Sequence, residues 1–262
     1  MSNEQGTMNN EQLYQLNPQS RFSDRAQDYA KYRPSYPSEA IDCILAGLET
    51  SGIAADIGAG TGISSRLLAD RGVKVIAIEP NAAMKQAAES HPLVEFGDGN
   101  AEETKLPDNS VDLVTCFQSF HWFNPEPVLQ EFARILKPKG VLAVVWNNRD
   151  REDNFTREYS HLIQVASNNQ SELRYGTQRF LHDPKLFAPV RQEIFPYYQG
   201  LNREALIGRA MSTSYIPKQG EIATKFIRDL EQLYEQQKNS NGLVYLKYNT
   251  SVYLTFLLVS TT

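Results

Sequence analysis

Apolar residues recur through the middle of this chain in short blocks that alternate with segments of helical period. Ile53–Ile57 is a nearly continuous apolar run, and Val73–Ile78 is a second, broken only by Lys74. Val94-Glu95-Phe96 is a short third run, Val111–Cys116 a fourth and Val141–Trp146 a fifth. Runs of this length read as strands buried on both faces. Between them, Gly62–Arg71, Ala82–Ser90 and Pro127–Leu136 carry apolar residues at helical spacing. Lys137-Pro138-Lys139-Gly140 reads as the stop of the last of these helices. Strand and helix alternating over short connections predict a parallel sheet covered by helices.

The flanks differ. Residues 1–20, rich in Asn and Gln, read as a mobile tail. In residues 21–37, Phe22, Tyr29, Tyr32 and Tyr36 are interleaved with Arg21, Arg25, Lys31 and Arg33, up to Pro34 and Pro37. A helix is predicted from Ser38, with Ile41, Ile44, Leu45 and Leu48 on one face. After Asn147 the pattern loosens. Residues 151–175 read as a polar, exposed helix, Glu193–Tyr198 as a strand, Glu204–Met211 and Glu221–Gln237 as helices, and Leu243–Leu258 as the last strand. Residues 21–262 then form one domain, with a cofactor half at 38–150. Segments 151–189 and 201–240 are added over the ligand edge of the sheet.

Composition narrows the class. A net charge of −5 leaves no basic footprint for nucleic acid. Cys43 and Cys116 are far apart and have no partner at metal-ligand spacing, and His91, His161 and His182 add none, so no metal is expected. The start of the chain lacks the basic and apolar stretches of a signal peptide. The apolar end, Val252–Val259, is far shorter than the roughly 20 residues a membrane helix needs. The expectation is a cytoplasmic protein, monomer or homodimer, with no membrane partner.

The chemistry concentrates at Ala55-Asp56-Ile57-Gly58-Ala59-Gly60-Thr61-Gly62, where a strand turns through glycines into a helix. Such a turn lets a nucleotide-like ligand approach the backbone. The second apolar run ends on Glu79, an acid placed to accept from both hydroxyls of a ribose. Ile63 stands where a dinucleotide fingerprint has its third glycine.

Together these residues resemble class I S-adenosylmethionine-dependent methyltransferases, in particular the small-molecule type 11 group that includes trans-aconitate methyltransferases. The resemblance runs from about Phe22 to Trp146. Asp56, Gly58, Ala59, Gly60, Thr61 and Gly62 match the first motif, and Glu79-Pro80-Asn81 the second. Gly99-Asn100-Ala101-Glu102, with Leu106-Pro107-Asp108 and Ser110-Val111-Asp112, matches the segment after strand three. The family usually has aspartate where this chain has Asn100, at the position that bonds the adenine amino group; the Asn100 carbonyl or Asp98 is left to do so. Lys137-Pro138-Lys139-Gly140 before strand five also fits. The resemblance implies an α/β, Rossmann-like sheet of seven strands with the last antiparallel, helices on both faces and a helical cover from the C-terminal third. It implies S-adenosyl-L-methionine as cofactor, a small-molecule methyl acceptor (a carboxylate, as in a small organic acid, or another oxygen or nitrogen nucleophile) and a cofactor contact at Gln118. It also implies an N-terminal segment, with Tyr29 and Arg33, folded over the cofactor; an exposed amphipathic helix is the alternative.

Methyl transfer from a sulfonium is an in-line displacement, so proximity and orientation, worth about 7–11 kcal/mol, carry most of the catalysis. A base is needed only where the acceptor must lose a proton. Gln118-Ser119-Phe120-His121-Trp122-Phe123 follows strand four directly, and His121 is either that base or a residue that orients its loop. Trp122 and Phe123 are pocket wall or plain core. Asn147 and Arg149, at the end of strand five, are candidates for the acceptor, with a solvated Arg149–Asp150 turn as the alternative. The aromatics at 195–198 and Tyr215 line an acceptor pocket or pack the cover. Two other functions fit the fold: an NAD(P)-dependent oxidoreductase, which Ile63 disfavours, and an adenosylmethionine-binding regulator without catalysis.

Overall fold

The computed structural model describes residues 13, 22–49, 51–170, 177–181, 183 and 185–258. Of the expected tail, Leu13 is described and is buried; the rest of that tail, Arg21, His182 and Val259 lie outside the described residues. The chain begins with α1 (Ala26–Tyr32), and Pro37 then precedes α2 (Ser38–Leu45). The alternating core follows: β1 (Ile53–Ile57), α3 (Ile63–Ala69), β2 (Lys74–Ile78), α4 (Ala82–Gln86), β3 (Val94–Gly97), β4 (Val111–Phe117), α5 (Pro125–Ile135) and β5 (Leu136–Arg149). The last third gives α6 (Asn154–Ala166), β6 (Arg191–Leu201), α7 (Arg203–Met211), α8 (Glu221–Gln237) and β7 (Val244–Phe256).

The seven strands form one sheet in the order β3-β2-β1-β4-β5-β7-β6. Strands β1 to β5 pair in parallel, and β7 lies antiparallel between β5 and β6. The expected Rossmann-like class I methyltransferase sheet is thus present. Side chains alternate between two buried faces. Ile57, Val114, Cys116 and Val144 pack with Val128, Phe132 and Ile135 of α5. Ala54, Leu113, Ala143 and Val145 pack with Ile41 and Ile44 of α2 and Leu68 of α3. Burial on both faces is why these strands read as continuous apolar runs. The chain builds outward from β1 to β3 and then crosses back to β4. The switch point therefore lies between β1 and β4, at their carboxyl ends, where open α/β sheets bind ligands.

Three expectations change. Lys137–Gly140 is part of β5, not a terminating loop. Val111 pairs with Leu136 and Leu113 with Val141, so the four residues bulge against one, with Lys139 at φ +67° and Lys137 bonded to Asp112 at 2.8 Å. Strand β5 also continues past Trp146, because β7 supplies ladder partners as far as Arg149 opposite Tyr248. Arg149 is on a strand and not in a turn. Finally, α6 is amphipathic, with Phe155, Tyr159 and Ile163 buried. It ends near Asn168 and Asn169, both with positive φ; residues 171–175 of the expected helix lie outside the described set. These α6 residues join Leu206 of α7, Phe226 and Leu230 of α8, and Leu246 and Tyr248 of β7 in a third core over the sheet's end.

Candidate functional site

At the end of β1 the backbone turns through Gly58 and Gly60, both at positive φ. A Cβ on Gly58 would stand 2.6 Å from the Ser119 Cβ, so glycine here lets the loops after β1 and β4 touch. A Cβ on Gly60 would meet Met84 at 3.2 Å and Tyr29 at 3.8 Å. The Gly60 N–H donates to Glu79 at 2.9 Å, and the Asn81 N–H donates to the other Glu79 oxygen at 2.8 Å. Burial raises the pKa of Glu79, and these two backbone bonds oppose it. Pro80 is exposed beside it, while Asn81 caps α4 by accepting from Ala83 and Met84.

Asp56 sits beneath the turn. It is fully buried and accepts from the hydroxyls of Ser64, Ser65 and Thr115 at 2.7–2.8 Å. Burial raises its pKa against those three bonds. Its visible work is to tie β1, α3 and β4 together under the glycines. Thr61 carries a buried hydroxyl with no hydrogen-bond partner. After β3, the Asn100 carbonyl accepts from the N–H groups of Glu102 and Glu103 at 2.9 and 2.8 Å. The oxygen expected to meet an adenine amino group is already bonded twice within its own loop. Ala101 is buried, Glu102 is exposed, and Asp98 faces Lys85 at 3.5 Å.

The loop after β4 begins with strain. Gln118 has φ +56°, a conformation rare outside glycine and frequent at functional sites. Its N–H donates to the Val145 carbonyl, and its amide to the Asn147 carbonyl at 3.3 Å. His121 is buried, and its Nδ1 accepts from the Trp146 indole N–H at 3.2 Å. A neutral imidazole whose Nδ1 lone pair is taken carries its hydrogen on Nε2. The ring in this geometry is a donor, so the structure gives no support to the general-base expectation. Trp122 stacks on Tyr215 and meets Phe22 edge-on. Asn147 is buried, accepts from Thr250 at 2.6 Å and donates to the Ser35 carbonyl. Arg149 lies over the Tyr159 ring at 5.6 Å.

The N-terminal segment closes the site. Buried Arg25 donates to the carbonyls of Met211, Thr213 and Ile216 at 2.6–2.8 Å. Arg33 donates to the Ser212 carbonyl and stacks over Tyr29 at 4.4 Å. The Tyr32 ring lies flush on Gly208, where a Cβ would be 2.3 Å away. The segment is therefore bound to α7 and the loop after it, and is not a free surface helix.

One cavity collects nine of the expected residues: Tyr29, Arg33, Gly58, Ala59, Gln118, His121, Trp122, Asn147 and Arg149. Asp56, Gly60, Thr61, Gly62, Glu79, Pro80, Asn100, Ala101 and Glu102 are not in its lining. Phe195, Tyr197 and Tyr198 stay outside it, whereas Tyr215 lines it. The sequence reading missed Tyr159, Arg209 and Tyr248, which form its far wall. A signal existed for Arg209: it falls between Leu206 and Ala210 on the buried stripe of α7, where a charge needs a reason. Among the described residues the lining contains three arginines and no Asp, Glu or Lys.

Comparison with known proteins agrees with this layout. The family model described as a methyltransferase domain matches residues 55–144, from the glycine turn to β5. An uncharacterized methyltransferase of Mycobacterium tuberculosis is 34% identical over 227 residues, covering 85% of this chain and 90% of its own length. The chain belongs to the class I S-adenosylmethionine-dependent methyltransferases. An uncharacterized methyltransferase-like protein of Schizosaccharomyces pombe is 31% identical over 201 residues, 75% of this methyltransferase and 78% of the relative. Among solved structures, an Anaeromyxobacter dehalogenans protein that carries the name of a type II methyltransferase superposes with a TM-score of 0.65 at 20% identity. It covers 87% of this chain and 99% of its own, a likeness of fold.

The residues present fit the family's methyl donor. Gly58 and Ala59 of the turn line the cavity, Thr61 holds an unpartnered hydroxyl, and Glu79 presents a carboxylate at the end of β2. Among the described residues the cavity wall carries no acid, and no group of metal-binding side chains occurs. No described helix is long and apolar enough to cross a membrane.

Proposed function

We propose that this methyltransferase moves the methyl group of S-adenosylmethionine to a small-molecule acceptor held in the cavity between the glycine turn and the α6–α7 cover. One observation carries the reading. A cavity at the switch point joins the turn, the strained loop after β4 and the far wall, and the N-terminal segment roofs it.

In this reading Glu79 accepts from the ribose hydroxyls, and the turn from Gly58 to Gly62, whose N–H groups at Gly58, Ala59, Gly60 and Gly62 are bonded within the fold, offers the donor's middle a close backbone approach. Gln118, Tyr29 and Arg33 border its methionine end. The Asn100 loop borders the adenine through backbone and the buried Ala101, since the Asn100 carbonyl is engaged. The sulfonium supplies an activated methyl. The chain's own residues therefore bind, orient and exclude water, the contribution that proximity makes to an in-line transfer. His121 offers Nε2–H to an acceptor atom, Trp122 forms an apolar wall, and Asn147 and Arg149 face the acceptor. Residues 151–189 and 201–240 act as the acceptor cover through α6 and α7, with α8 behind them. The acceptor is an oxygen or nitrogen nucleophile, and the negative net charge speaks against nucleic acid in that role.

Calorimetry with S-adenosylhomocysteine, beside NAD as control, tests the donor. Tight binding of the first and none of the second is expected. Glu79→Ala should weaken it about tenfold or more, since charged hydrogen bonds are worth about 1.5–3 kcal/mol. NAD binding in its place would overturn the reading. Mass spectrometry of a metabolite extract incubated with labelled S-adenosylmethionine then reads the acceptor class; labelled product only on macromolecules would overturn the small-molecule part.

A further inference from the structure

Arg25 and Arg209 make an internal comparison. Both are buried, at 7% and 8% exposure. Arg25 places its guanidinium on three carbonyls and has the Asp24 carboxylate 3.5 Å from its Nε. Among the described residues Arg209 has no carboxylate in contact; its side chain bonds Tyr248, and its Nε is buried without a hydrogen-bond partner. Arg33 is similar: it donates to the Ser212 carbonyl, but its Nε is buried and unpartnered, and no acid among the described residues pairs with it. The two cations are close enough that burial first, and the Arg209 charge next, pull the Arg33 pKa down to about 10. Tyr159, at 1% exposure, adds a hydroxyl with no partner. All three side chains line the same cavity.

A buried cation without an acid is expensive, and two side by side repel as well. Structural arginines avoid this as Arg25 does. Tyr248 is a hydrogen-bond partner of Arg209, but no acid among the described residues pairs with it, so its counter-charge is left to come from outside. An arginine Nε is one prong of the fork that grips a carboxylate in two parallel bonds. A tyrosine hydroxyl beside it supplies a further donor.

We propose that Arg209 and Tyr159 form an anion subsite that holds a carboxylate of the methyl acceptor, with Arg33 between it and the methionine end of the donor. The proposal rests on the methyltransferase reading for the word acceptor, and on the cavity wall alone for the anion. It places an obligatory negative group on the substrate, at the end of the cavity built by α6 and α7. It also explains why α7 carries a charge within its buried stripe.

The test is calorimetry and thermal shift on the full chain, with and without S-adenosylhomocysteine. The probes are short mono-, di- and tricarboxylic acids, each beside its neutral amide, and inorganic phosphate. At least one carboxylate should bind and raise the melting temperature while its amide does neither. Arg209→Gln should weaken that binding tenfold or more and leave S-adenosylhomocysteine affinity unchanged. Tyr159→Phe removes a hydroxyl that bonds nothing in the fold. It should leave the melting temperature of the ligand-free protein unchanged yet weaken the carboxylate severalfold, which a purely structural tyrosine would not do. This second variant decides the matter if Arg209→Gln fails to fold.

The proposal is overturned if no carboxylate binds, if only phosphate binds, or if amides bind as well as acids. It is equally overturned if both variants bind the carboxylate like the wild type. Weakened S-adenosylhomocysteine binding in Arg209→Gln would assign the subsite to the donor's own carboxylate and overturn the acceptor assignment. Absent S-adenosylhomocysteine binding would sink the donor reading, while the carboxylate titration without it still reads the anion site.

Discussion

The Trp146 indole N–H donates to Nδ1 of His121 at 3.2 Å, and both rings are buried. Trp146 lies on β5 and His121 follows β4, so the pairing of those two strands fixes the imidazole's hydrogen on Nε2. A residue held this way orients and donates. His121→Gln, which keeps an N–H donor, should therefore retain much more kcat/KM than His121→Ala. A general base would make both variants fall alike. Nitrogen NMR of the neutral ring should show the Nε2–H tautomer in the wild type and lose that bias in Trp146→Phe; an Nδ1–H ring in the wild type would contradict the assignment.

The donor half was legible because its signals are local. A strand, glycines at positive φ and an acid at the end of the next strand lie within one stretch of sequence, and the sheet's two-sided burial writes itself as apolar runs. Lys137–Gly140 misled because Pro and Gly usually punctuate turns, and a bulge in a paired strand uses the same residues. The acceptor wall was illegible for a different reason. Tyr159, Arg209 and Tyr248 come from α6, α7 and β7, and only the tertiary fold brings them together. Arg209 alone leaves a trace, a charge between the apolar Leu206 and Ala210, and that trace gains its meaning only when α7 is seen to be buried on that side.

Tyr32 and Gly208 fix the roof of the site. Since a Cβ on Gly208 would sit 2.3 Å from the Tyr32 ring, Gly208→Ala should push α1 off α7. Proteolysis within residues 22–33 should accelerate, and S-adenosylhomocysteine affinity should fall. Tyr32→Ala in the Gly208→Ala background should relieve the clash, giving a coupling of about 0.5–3 kcal/mol in a double-mutant cycle on stability. Additive effects would show that the ring and the helix do not press on one another.

Glu131 on α5 gives a pH signature. Burial alone would raise its carboxyl pKa, but hydrogen bonds from Arg134 and from the hydroxyl and N–H of Thr104 outweigh it and hold the pKa below the ordinary 4.5. A depressed folded value means that the stabilisation is present above the unfolded pKa and is lost as pH falls through the folded one. Asp56 and Glu79, whose pKa values are raised, work with the opposite sign and favour the fold in acid. Glu131→Gln should cost about 1–3 kcal/mol near neutrality. Urea melts should show the gap to wild type narrowing below pH 4.5; a gap constant across the acid range would remove Glu131 as its source.

Gly58 and Gly72 separate backbone strain from contact at the glycine turn. Their φ values, +69° and +87°, both lie where a side chain is disfavoured, so an alanine at either costs about 1–2 kcal/mol for the backbone alone. A Cβ on Gly72 meets nothing within 4 Å, whereas one on Gly58 meets the Ser119 Cβ at 2.6 Å and Phe123 at 3.1 Å. Ser119 is held by its bond to the Ile57 carbonyl and cannot withdraw without breaking it. Gly58→Ala should therefore lose more stability than Gly72→Ala in chemical denaturation. It should also displace the loop that carries Gln118 and His121, so its methyl-transfer rate should fall while Gly72→Ala, assayed well below its melting temperature, keeps the wild-type rate. Equal stability losses, or equal rates, would mean that the loops after β1 and β4 do not depend on the missing side chain at Gly58.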